Sequence, residues 1–151
     1  MGCCGSGIPD PEIEECKSID DLINIIETRM QSYVKEKENI DIYLQDPTSQ
    51  PIGNISIYAT KEELEEIRNT SSKIEEEFTR GIQLLNKYKD QIPLDKGIDK
   101  MKDLCGCANE RDCISMKYLM DDFTKYCQKN HLNKKIEEEE SKESINKKNS
   151  F

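Results

Sequence analysis

Ile19, Ile23, Ile26, Met30, Tyr33, Lys37, Ile40 and Leu44 recur in steps of four and three, a spacing that predicts one apolar seam along a helix of about 27 residues. Leu22 and Val34 widen that seam into the broader stripe of a bundle helix. Ser18-Ile19-Asp20-Asp21 just ahead of it has the form of a capping box, and Asp46-Pro47 closes the run. The segment QDPTSQPIGNISIYA that follows carries two prolines and a glycine and reads as a connection, with a short extended piece at Ile55 and Ile57.

A second capping box, Thr60-Lys61-Glu62-Glu63, precedes Leu64, Ile67, Ser71, Ile74, Phe78, Gly81, Leu85, Tyr88 and Ile92, again stepping by three and four. A helix of about 30 residues packed along its length against a partner follows, with Pro93 as its stop. Ile98, Met101 and Cys105 share a face of a third helical region, which is expected to falter at CGCANERDC and resume through Met116, Leu119, Met120, Phe123 and Cys127. The last residues, LNKKIEEEESKESINKKNSF, are rich in Lys and Glu with no seam and are expected to be disordered.

The fold class expected is therefore all-α: an elongated bundle of three to four amphipathic helices with coiled-coil-like seams. Residues 1–17 would form a flexible tether, 18–129 the helical bundle domain, and 130–151 a charged, disordered tail.

Composition sharpens this picture. Only 34% of the 151 residues are hydrophobic and 35% are charged, with no Trp, so any core is thin. The net charge of -9 argues against nucleic acid, whose phosphates need a basic stripe. The chain opens without the basic and apolar regions of a secretory signal, so the seven cysteines are expected to be thiols in a reducing compartment.

The opening MGCCGS fits M-G-x-x-x-[ST], the pattern for N-myristoylation of Gly2 after Met1 is removed, with Ser6 at the small-hydroxyl position. Transfer needs an unhindered α-amino group on an extended segment, and Gly5, Gly7, Pro9 and Pro11 oppose helix formation there. One myristoyl chain binds a bilayer only with a partition constant of about 10⁴ M⁻¹, so stable residence needs a second signal. A basic patch is missing, because Asp10, Glu12, Glu14, Glu15 and Asp20 face a single Lys17. Cys3 and Cys4 remain as palmitoylation sites, with Cys16 a weaker one near a helix start. This terminus resembles those of dually acylated proteins: the membrane-anchoring subunit of the lysosomal Ragulator complex, some Src-family kinases, and acylated calcium-binding and glideosome-associated proteins. The resemblance covers about six residues and implies a mode of attachment alone.

The expected function is a non-enzymatic, membrane-anchored helical adaptor. It would sit peripherally on the cytosolic face of the plasma membrane or of an endomembrane, such as a pellicle or lysosomal-type compartment. There it would recruit a protein partner or self-associate through its seams. No P-loop, dinucleotide turn, kinase signature or EF-hand loop is present in the sequence, and no cofactor is expected. The alternative is a small zinc-binding or redox-responsive module built on Cys105, Cys107, Cys113, Cys127 and the sole histidine, His131. Their C-x-C-x5-C-x13-C-x3-H spacing fits the paired turns of structural zinc sites poorly, and packing of the cysteines as small apolar side chains is favoured.

Overall fold

A computed structural model describes residues 9–46 and 60–148, with side chains described through residue 140. Five helices form among the described residues: α1 (Pro11–Glu14), α2 (Ile19–Gln45), α3 (Lys61–Lys87), α4 (Leu94–Asn109) and α5 (Cys113–Lys148). The residues expected to link α2 to α3 through an extended piece lie outside this description, apart from Gln45, which ends α2, and Asp46.

The helix starts follow the sequence chemistry. Ser18 accepts from Asp21 N at 3.1 Å, while the Asp21 carboxylate reaches one residue further back, to Lys17 N. At Thr60 the box is reciprocal: Thr60 Oγ1 accepts from Glu63 N and Glu63 Oε1 from Thr60 N. Asp112 starts α5 in the same manner, its two carboxylate oxygens accepting from Ser115 N at 3.1 Å and Ser115 Oγ at 2.7 Å.

Four helices pack around one core. α2 and α3 run antiparallel, tied by Lys89–Asp20, Lys37–Glu75 and Arg68–Asp41. α5 lies beside α3 and α4, and α4 beside α2, so the order around the bundle is α2, α3, α5, α4. Leu22, Ile26, Ile74, Phe78, Leu85, Met101, Leu104, Met116 and Phe123 fill the centre. The two long seams are thus closed against neighbours within one chain.

Two glycines let α4 pack close to its neighbours, Gly81 of α3 against α4 and Gly97 of α4 against α2. A Cβ at Gly81 would lie 3.3 Å from Leu104 Cδ2, and one at Gly97 would lie 3.2 Å from both Ile19 Cδ1 and Leu22 Cδ2. Each glycine costs about 1 kcal/mol of helix propensity relative to Ala, and the close approach of the backbones offsets it.

The break expected at CGCANERDC comes at Glu110–Asp112, directly after Asn109, while α4 runs through Gly106, where burial of Cys105, Cys107 and Ala108 overrides the low propensity of the glycine. Two sequence expectations change. Residues 9–17 are no extended tether: α1 forms there and docks. The segment expected to be a disordered tail is helical through Lys148. It follows α5 with strong helix formers, and no Gly or Pro occurs after Gly106 to stop it. Its described side chains from His131 to Glu140 are all exposed.

The Phe78 ring is buried against α2, 5.6 Å from the Tyr33 ring. Phe78→Ala is expected to lower stability by about 3–5 kcal/mol in urea titrations followed by circular dichroism. Ile74→Asp, which puts a charge at a fully buried position, should abolish the cooperative transition.

Candidate functional site

The residues read as the lipidation site, Gly2, Cys3 and Cys4, lie outside the described residues. What the structure describes is the segment that joins them to the bundle. Asp10 caps α1, its Oδ1 accepting from Ile13 N, and Pro11 occupies the first turn, where its missing N–H costs nothing. One turn of helix cannot hold itself together, so its partners must.

Those partners are of two kinds. Ile13 is 0% exposed and Cys16 is buried beside it, both part of the central apolar cluster. Around them, Arg29 of α2 grips Asp10 with two hydrogen bonds, Nη1 to Oδ2 at 2.6 Å and Nη2 to Oδ1 at 2.9 Å, and reaches Glu12 at 3.3 Å. Lys102 of α4 bridges Glu14 at 3.0 Å. α1 therefore straddles α2 and α4. The Arg29 guanidinium holds the Asp10 carboxyl below its ordinary 3.8, against a smaller opposing effect of burial.

The cysteines are dispersed. Cys105 is buried near Arg29, and desolvation pushes its thiol up to about 11 although the guanidinium pulls the other way. Burial likewise lifts Cys127 to about 11 and raises Cys16 and Cys113. Cys113 Sγ donates to Thr70 O at 3.8 Å, and Cys16 Sγ to Glu12 O at 3.7 Å. Cys107 is fully buried. His131 is exposed, its Nδ1 2.9 Å from Gln91 Oε1 and its ring edge-on to Tyr88. Among the described residues no three His, Cys, Asp or Glu side chains lie close enough to hold a metal ion, so Cys105, Cys107, Cys113, Cys127 and His131 are not brought together there. At Cys16, Cys105, Cys113 and Cys127 burial favours the neutral thiol over the thiolate.

A polar cluster that the sequence pattern does not reveal lies where the α4–α5 turn meets α2 and α3. Ser71, 0% exposed within the α3 seam, donates to Glu36 and accepts from Arg111 Nη2 at 2.9 Å. Arg111 also donates to Ile67 O at 3.0 Å and pairs with Glu36 at 3.2 Å. Its backbone sits at φ 57°, in the left-handed region that costs a non-glycine residue about 1 kcal/mol or more. The three anchors on its side chain hold it there. A serine inside an apolar seam is the one signal the sequence offers for this cluster.

Compared with protein-family models, curated proteins and solved structures, the chain matches none.

Arg29→Ala is expected to cost about 1–3 kcal/mol and to speed amide exchange over residues 11–16 more than elsewhere, read by hydrogen-exchange mass spectrometry. Because the folded state binds the Asp10 proton less readily than the unfolded chain, its contribution is complete above about pH 4. That contribution disappears as the pH falls through the lowered value, so the excess α1 exchange of Arg29→Ala over wild type should shrink on acidification. Metal chelation provides a separate check: a strong chelator should leave the melting temperature and helicity of the purified protein unchanged, whereas a stoichiometric zinc content would revive the metal-module reading.

Proposed function

We propose that this chain is a non-enzymatic helical adaptor attached to the cytosolic face of a membrane by N-myristoylation of Gly2 and palmitoylation of Cys3 and Cys4. The observation that carries this reading is the opening MGCCGS, in which a myristoylation pattern and two acceptor thiols stand side by side. The two signals divide the work. Myristate supplies reversible membrane sampling, and each palmitoyl chain, adding about 0.8 kcal/mol per buried methylene, traps the protein where it is acylated.

Other features support it. No helix among the described residues is long and apolar enough to cross a membrane, which leaves covalent lipid as the attachment the sequence supplies. The bundle is built to present surfaces: its seams are consumed internally, and its outer faces carry salt bridges of mixed sign. A partner, whether another protein or a second copy of this chain, would meet those outer faces. Cys16 contributes no acylation site in this reading, since its thiol is buried under α1.

The test is membrane fractionation of the full chain with a C-terminal fluorescent tag in eukaryotic cells. Gly2→Ala should shift the protein from the membrane to the soluble fraction. Cys3→Ser/Cys4→Ser should leave weak, diffuse association with several membranes. Identical fractionation of all three proteins would reject lipid anchoring at this terminus.

A further inference from the structure

Taking the acyl anchor above as its premise, we infer that the bundle lies along the bilayer on one flank, with α1, α2 and α4 turned toward the lipid and α3 and α5 turned away. The anchored segment joins the body at Asp10, and few residues separate that point from the acylated positions.

Asp10 is held by Arg29, which lies ten residues into α2, so the segment leaves the bundle from the side and not from an end. Asp10 is six positions after Cys4 and eight after Gly2, spans of at most about 21 and 28 Å. These limits are short against the bundle. Toward the end formed by Asp20 and Lys89, α5 passes Asp90 at Lys134 and continues helically to Lys148. At 1.5 Å per residue, the tip of α5 lies about 36 Å beyond Asp10 along the axis, which is out of reach of every acylated position. Toward the opposite end, α2 runs sixteen more residues from Arg29 to Gln45, about 24 Å, which already exceeds the reach from Cys4. Standing on either end would strand at least one lipid in water. Lying on the α1 flank requires no such stretch, since Asp10 is already on that surface.

Charge does not drive the arrangement. Asp10, Glu12 and Glu14 on this flank are paired with Arg29 or Lys102, so anionic lipid gains no attractive basic patch. The tether length imposes the orientation. Its consequence is that the outer face of α5, where Ile114 is 71% and Tyr118 68% exposed, points into the cytosol.

The experiment uses the full acylated chain purified from eukaryotic cells and bound to phosphatidylcholine vesicles. The vesicles contain a lipid with a diazirine on its headgroup, and cross-linked residues are mapped by mass spectrometry. Cross-links are expected on residues 9–17 and on exposed positions of the same flank such as Thr28, Ser32 and Asp99, at least tenfold above those at Lys73, Lys117 and Tyr118. Inserting twenty Gly/Ser residues between Ile8 and Pro9 leaves every described contact in place and should even out the cross-links without reducing the vesicle-bound fraction. Wild-type cross-links spread over all faces, or concentrated on α3 and α5, overturn the orientation while anchoring stands. A wild-type protein that does not bind the vesicles overturns the anchoring reading and the orientation together.

Discussion

The fold depends on narrow apolar stripes meeting at a single axis. With a third of the residues apolar, no helix can be covered on more than one side, and each must give its whole seam to the common core. Phe78 and Phe123, the largest fully buried side chains, lie at that axis, and Gly81 lets α3 approach α4 while Gly97 lets α4 approach α2. Burial at about 25 cal/mol per Å² supplies the drive, but it specifies neither register nor which segment covers which groove.

Polar contacts supply that information. The ladder of Lys89–Asp20, Lys37–Glu75 and Arg68–Asp41 fixes α2 against α3 along their full length. Ser71, Glu36 and Arg111 pin the α4–α5 turn to the middle of the hairpin, and Arg80 joins α3 to Asp121 of α5. Arg29 does the same for α1. Salt bridges on an open surface contribute little, yet here the partners come from different helices and several are half-buried, which makes them determinants of arrangement more than of stability.

Much of this was legible from periodicity. Nearly every seam position assigned to α3 is buried, including Gly81 and Ser71, because a 27-residue helix repeats its pattern often enough to be unambiguous. Leu84 is buried although it widens the seam outside the three-four steps, and Lys37, at a seam position of α2, reaches outward to Glu75. A four-residue helix has no period to read, so α1 could be found only from tertiary partners seventeen and more residues away. The C-terminal stretch illustrates the converse: its missing seam correctly signals exposure, but exposure is compatible with helix where Lys and Glu continue an existing one. The proposed lipidation site is legible as a motif, and the docking of α1 against α2 and α4 is not.

The most direct test of the account is the mass of the N-terminal peptide of the full chain isolated from eukaryotic cells. The account predicts a peptide beginning at Gly2 with an amide-linked myristoyl group, plus one or two palmitoyl groups on Cys3 and Cys4 that hydroxylamine removes. A peptide with a free or acetylated amino terminus and unacylated cysteines would contradict it.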